Sequence, residues 1–368
     1  MKNIFFSIVL FSLIAISFFI FLEITLPIFD NRGENIWRKE LHTKSINIIH
    51  SEKYFFSKNF NAELGWDYPL PYTSDEVEYI AESYGASYTE SGHSNGATWQ
   101  QWFYKISDLG IINLGVGGYG LDQSILKFEK HSQKNERKDV KNIILGLNNQ
   151  VYGRSVSYYS YYYFFNKYFK YAFKPMFIKA DNEFELLKIP CIDSECLKDE
   201  LINLNSVTYA NLDKHDYWYK KEIMKPVLKF PRTISYLKAI PSIIHRVKQR
   251  KYIEPSYFEN EDSIELTKYL ILRFFKEANL QNSNPIMLLM YDRFGLEGIL
   301  KSKREDEWLI KFFKNNKISF IDTSPFFTKY IYGEGDMKEL FLPDGHYSTK
   351  GDSLVALSIY NNIHKFKF

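Results

Sequence analysis

The chain has 368 residues, with 47 Lys and Arg against 44 Asp and Glu and a formal net charge of +3 at pH 7. That length supports one to two domains with a sizeable core. The near-neutral balance, with no long basic block, gives no footing for nucleic acid, and no segment repeats at a solenoid or propeller period.

Ile4 to Leu22 is an uncharged run dominated by Ile, Leu, Phe and Val, preceded by Lys2. At about 1.5 Å per residue it is long enough to cross a ~30 Å hydrocarbon core. Glu23-Ile24-Thr25-Leu26-Pro27 follows without a small-x-small cleavage site. An uncleaved signal anchor over residues 1–30 is favoured over a cleaved signal or a buried core helix. The basic start faces the cytoplasm and the remainder lies outside it. Residues 31–60 are polar and aperiodic, and read as a spacer.

From Leu64-Gly65-Trp66 onward strand and helix patterns alternate. Strands are expected at Val77–Ser87, Ile111–Val116, Val140–Leu147, Pro285–Tyr291 and Ile318–Asp322. Helices are expected at Ala97–Leu109, Leu121–Ser132, Ser263–Ala278, Asp306–Asn315 and Lys350–His364. Such alternation predicts a parallel sheet covered by helices on both faces. Ligands in these sheets sit at the carboxyl ends of the strands.

The first strand runs into Tyr84-Gly85-Ala86-Ser87. Small neighbours allow a tight turn that leaves a serine hydroxyl exposed. Alone, the triplet reads as an ordinary strand-ending turn. The second strand ends in Asn113-Leu114-Gly115-Val116-Gly117-Gly118-Tyr119-Gly120. This is either a packing turn or a loop that brings bare backbone N–H groups to a ligand. No Gly-Lys-Ser/Thr follows, so it is not a phosphate loop, and it lacks the ribose acid of a dinucleotide site. The third strand ends in Gly146-Leu147-Asn148-Asn149, an Asn turn or cap whose amide can also donate into the crevice.

Between residues 151 and 262 the alternation lapses. Tyr158–Phe173 is dense in aromatics, and Met176–Ile189 has hairpin character. Thr233–Lys251 is basic and partly amphipathic. This insertion is expected to form a lid or wall over an acceptor site. Cys191 and Cys196 lie within it, either as a small disulfide loop or as two buried thiols, with no zinc-like spacing around them. Before the last helix comes Pro343-Asp344-Gly345-His346-Tyr347. An Asp two residues before a His on a loop either orients the imidazole or is a capping Asp beside a surface His.

Taken together, Gly85-Ala86-Ser87, Gly118, Gly146-x-Asn148-Asn149 and Asp344/His346 resemble the four blocks of the SGNH (GDSL-type) hydrolase superfamily, in order. The likeness covers roughly residues 63–150 and 284–368. It implies a three-layer α/β/α, flavodoxin-like domain over residues 61–368. It also implies a serine esterase or O-acyltransferase with Ser87 as nucleophile, His346 as base and Asp344 as orienting acid. Ser87 and Gly118 N–H groups and the Asn148 amide would form the oxyanion hole, with no metal and no organic cofactor. Three positions depart from the pattern. Ala86 stands where Asp is usual, Asn149 stands where Asp is usual, and one residue rather than two separates Asp344 from His346. His93, six residues after Ser87, is the rival base and reads better as a turn histidine.

With the anchor, the resemblance points to acetyl groups on cell-surface or exported polysaccharide, with a membrane-bound acyl-donor protein as an expected partner. A lipase or thioesterase acting on longer chains is the second enzyme reading. A carbohydrate-binding assembly protein on a retired hydrolase scaffold is the non-enzymatic one.

Overall fold

The computed structural model describes residues 6–25, 60–133, 140–158, 173–217, 234 and 261–368. Within these, positions 8, 94–95, 182, 194, 197–198, 201–202, 204–205 and 334 are excluded. The strands among the described residues are β1 (Phe60–Asn61), β2 (Gly65–Trp66), β3 (Tyr79–Tyr84), β4 (Gly110–Asn113), β5 (Asn142–Leu147), β6 (Met176–Ala180), β7 (Glu183–Leu187), β8 (Asn284–Leu289) and β9 (Phe320–Asp322). The helices are α1 (residues 9–25), α2 (Ser87–Glu90), α3 (Trp99–Ser107), α4 (Leu121–Gln133), α5 (Asn149–Ser155) and α6 (Val207–His215). They continue with α7 (Glu261–Leu280), α8 (Arg293–Leu300), α9 (Glu307–Asn315), α10 (Ser324–Tyr332) and α11 (Thr349–Tyr360).

The central sheet has five strands in the order β4-β3-β5-β8-β9, and every pairing in it is parallel. Chain order therefore reverses once, between β3 and β5, as in flavodoxin-like sheets. Right-handed crossovers place α3, between β3 and β4, on the face opposite α4, which leads from β4 across to β5. α7 packs with α4 and against β8, while α11 returns to pack on α3. Both faces are thus covered. That is why β5, Asn-Ile-Ile-Leu-Gly-Leu, is buried at every position instead of alternating. Each fully buried Ile or Leu contributes about 1.5–3 kcal/mol.

Two expected strands are shorter than their apolar runs. β3 stops at Tyr84 because Gly85 breaks it and Ser87 opens a helical turn. β4 stops at Asn113, whose Oδ1 accepts from the Gly115 N–H at 3.1 Å and curls the chain away. Four helices outside the sequence pattern, α2, α5, α8 and α10, follow strand ends. α8 is capped by Asp292, which accepts from the Gly295 N–H at 2.8 Å, and α10 carries Pro325 in its first turn.

Among the described residues no helix is long and apolar enough to cross a membrane. α1 exposes Phe11, Leu13 and Phe18, and Ile4, Phe5 and Ile8 of the apolar run lie outside the described residues. The spacer through residue 59 and the aromatic stretch 159–172 lie outside them too. So does the basic segment 233–251, apart from Ile234. Of the expected insertion, β6 and β7 form the antiparallel hairpin. Cys191 and Cys196 are disulfide-bonded, with Cα atoms 5.4 Å apart. The fully buried Lys174 pairs with the equally buried Asp122 at the start of α4, fixing the hairpin's approach to the core.

Candidate active site

Ser87 and Asn148 stand at the carboxyl ends of β3 and β5, on either side of the point where strand order reverses. The two strands are in register, with Tyr84 opposite Leu145. A crevice at such a switch point is the usual ligand position in an open parallel sheet.

Glycines from three strand ends close around the serine turn. A Cβ on Gly85 or on Gly146 would lie 2.1 Å from Thr89 Oγ1, and one on Gly115 would lie 2.3 Å from the Glu90 nitrogen. Only a bare backbone fits at these positions. The Val116 N–H donates to the Gly85 carbonyl at 3.0 Å, so the glycine-dense loop is bonded directly to the turn. In that loop Gly118 is buried and has φ of 81°. Its neighbour Gly117 accepts from Trp66 Nε1 at 3.0 Å.

Ser87 is 5 % exposed and its Oγ has no hydrogen-bond partner among the described residues. Ala86 holds the N-cap position of α2 in an extended conformation without a side-chain cap. An Asp there would be placed to accept from the first turn, so its absence changes how the turn is held and leaves the hydroxyl in place. Asn148 is 3 % exposed, and neither its Oδ1 nor its Nδ2 has a hydrogen-bond partner among the described residues. It occupies the N-cap position of α5 but makes no capping bond. The ordinary structural use of such an asparagine is therefore missing.

His346 lies in a tight loop closed by a bridge between Phe341 and Tyr347. Leu342 N–H donates to the His346 carbonyl at 2.7 Å. Gly345 takes φ of 96°, which folds Asp344 back onto its neighbour but one despite the short spacing. Asp344 Oδ1 accepts from the His346 N–H at 3.0 Å. Its Oδ2 lies 3.2 Å from His346 Nδ1. That is ion-pair distance without hydrogen-bond alignment, since Nδ1 has no hydrogen-bond partner among the described residues. Burial works to raise the Asp344 pKa, but the His346 N–H bond and the imidazole charge outweigh it and hold the carboxyl below its ordinary value. For His346, burial and then the His93 charge outweigh Asp344 and hold the imidazole below its ordinary value. The neutral ring, the form able to accept a proton, is thereby favoured near pH 7.

Tyr88, adjacent to Ser87, joins the two halves. Its hydroxyl donates to the Gly345 carbonyl at 2.7 Å, and its ring centroid is 5.6 Å from that of His346. Tyr347 packs edge-on against Tyr88 and donates to the Tyr291 carbonyl at 2.9 Å, anchoring the histidine loop at the end of β8. Arg154, on α5, is 8 % exposed and donates to the Tyr119 carbonyl at 3.2 Å. Its charge bears on both Tyr88 and His346.

The structure thus gathers Ser87, the Gly118 loop, Asn148, Asp344 and His346 around one set of strand ends. His93 also reaches this set. Tyr88 and Arg154 were not singled out in the sequence; for Arg154 the signal was a lone cation in the otherwise uncharged Val151–Tyr158 run. A small cleft opens beside Asn148, lined also by Tyr152, Leu289, Met290, Tyr291 and Asp306. Neither Ser87 nor His346 lines it, so it is space adjoining the centre. Among the described residues no group of three or more His, Cys, Asp or Glu is arranged to hold a metal ion.

No protein-family model matches the chain, and no curated protein matches it. Solved structures similar to it include a protein assigned to the lipolytic G-D-S-L family from Desulfitobacterium hafniense DCB-2, at 12% identity and a TM-score of 0.36. That match covers 76% of this chain and 97% of that one. Another is a member of the lipolytic protein G-D-S-L family from Veillonella parvula DSM 2008, at 11% identity and a TM-score of 0.36. It covers 77% and 97% respectively.

Proposed function

We propose that the chain is a serine-dependent acyl-transfer enzyme, an esterase or O-acyltransferase working through a covalent ester on Ser87. The observation that carries this reading is a pair of buried polar groups, Ser87 Oγ and the Asn148 amide, that have no hydrogen-bond partner among the described residues. They flank the switch point, with His346 packed against the serine turn through Tyr88 and His93. Leaving such groups unbonded costs each about 1–3 kcal/mol, a cost that a reacting ester would recover.

In the reaction, Ser87 Oγ attacks the ester carbonyl and its proton passes to the neutral His346 imidazole. Negative charge collects on the former carbonyl oxygen, which the Asn148 amide and the Ser87 and Gly118 N–H groups would meet. Collapse breaks the bond to the alcohol, which leaves with the proton from His346. Water or a second hydroxyl then repeats the steps in reverse on the Ser87 ester. Asp344 steadies the imidazolium electrostatically.

The apolar run Ile4–Leu22 and the Cys191–Cys196 disulfide support a membrane-anchored enzyme in an oxidising, extracytoplasmic compartment. With that placement, acetyl esters on surface or exported polysaccharide are the substrate class proposed, a membrane-bound acyl-donor protein being the partner a transferase would need.

The test is labelling of the full chain, in detergent, by a fluorophosphonate probe. Labelling that disappears in both Ser87→Ala and His346→Ala is the expected result. A folded wild-type protein that never labels would overturn the reading and leave a glycan-binding scaffold as the alternative.

A further inference from the structure

The chain reverses sharply after α2. Ser91 and Gly92 take φ of 57° and 79° in succession, folding the next residue, His93, back over the serine turn. Its ring lies flat on that of His346, with centroids 4.0 Å apart and planes 23° apart. Its Nε2 is 3.3 Å from the Ser87 carbonyl oxygen. A carbonyl only accepts, so in this contact Nε2 carries the proton. One side chain therefore touches the backbone of the nucleophile and the face of the base.

Resting on the reading of Ser87 and His346 as nucleophile and base, we propose that His93 is a positioning residue that covers the His346 ring and sets its proton affinity. Two effects act together. The stacked ring excludes water from one face of His346, and a protonated His93 repels a second proton 4.0 Å away. Both favour the neutral imidazole that the first step needs.

The other groups facing His346 are Asp344 from its own loop, Tyr88 from α2, against which Tyr347 packs edge-on, and the Arg154 charge from α5. Asp344 opposes His93, whereas Arg154 reinforces it. His93 itself faces Glu90 and Asp344, each of which its charge stabilises as a carboxylate. Rings stacked in this way cannot pass a proton between them, so His93 does not replace His346 as the base.

The experiment is a titration of the full chain, labelled with ¹⁵N-histidine and held in detergent, followed by NMR. His346→Asn identifies the base's signal. His93→Phe keeps a flat ring without charge, and His93→Asn removes both ring and charge. The His346 midpoint should rise in His93→Phe and rise further in His93→Asn. Loss of the charge alone, in His93→Phe, gives up to a roughly sixfold gain in proton affinity, about 0.8 pH units, the repulsion expected of two charges 4.0 Å apart in a water-like medium, and His93→Asn exceeds it. The acid limb of fluorophosphonate labelling against pH should move up with it. A His346 midpoint unchanged in both variants overturns the proposal, even if the wild type labels and the Ser87 reading stands. A midpoint that moves in a protein that never labels leaves the stack's effect in place and overturns the Ser87 reading instead.

Discussion

The Tyr88 hydroxyl donates to the Gly345 carbonyl oxygen across 2.7 Å, joining the residue after the proposed nucleophile to the residue before the proposed base. These positions are 257 residues apart in the chain. Burial first, and nearby carboxylates after it, push the Tyr88 pKa well above its ordinary value. The hydroxyl therefore stays a donor at any pH the protein tolerates.

Tyr88→Phe keeps the edge-on contact with Tyr347 and removes only this bond. It should cost about 0.5–1.5 kcal/mol of stability, read by urea unfolding. Fluorophosphonate labelling should slow by about tenfold as the base loses its registration. Labelling at the wild-type rate would mean that the serine turn and the histidine loop are held together by other contacts.

Asn148 separates stability from activity. Its amide is buried without a partner among the described residues, so Asn148→Leu, of similar size, should raise stability by about 1 kcal/mol. The same variant should lower kcat by about 10²–10³ with little change in KM. A variant both destabilised and fully active would remove Asn148 from the oxyanion hole and return it to a structural role.

Much of the fold was legible because the central strands are largely apolar runs, of which β3, β4 and β5 run out into glycine or asparagine, and helical periodicity lies between the runs. Ser87, Asn148 and His346 were legible as motif residues. Their mutual support was not, since Tyr88, His93 and Arg154 reach the centre only after segments distant in sequence have packed. The departures from the motif also needed coordinates. Asp344 reaches His346 across one residue only because Gly345 adopts φ of 96°, a conformation that spacing alone does not disclose. α8 and α10 escaped notice because they are short and their starts, Asp292 and the Pro325 turn, resemble ordinary loop residues.

The disulfide offers a test of compartment that does not depend on catalysis. Cys191 is 2 % exposed and bonded to Cys196. In protein isolated under native conditions, unfolding alone should yield no alkylated thiol, whereas unfolding with reductant should yield both. Alkylation of both thiols without reductant would point to a reducing compartment and weaken the case for an exported domain.

Asp352 makes a prediction about pH. It is fully buried on α11, neither carboxylate oxygen has a hydrogen-bond partner among the described residues, and burial pushes its pKa up to about 7, against a smaller opposing effect of Ser91. An acid whose pKa is raised by folding takes up protons when the chain folds. Its favourable contribution is complete below the unfolded value of 3.8 and is lost as pH rises towards about 7. The loss has an upper bound on the order of 4 kcal/mol. Asp352→Asn, which is neutral throughout, should therefore gain stability relative to wild type between pH 4 and pH 8, with the two similar at the acid end. Urea unfolding of both proteins at about pH 4.5, 6 and 8 measures the difference directly. A difference that does not change with pH would show that Asp352 is charged in the folded protein at every one of these values.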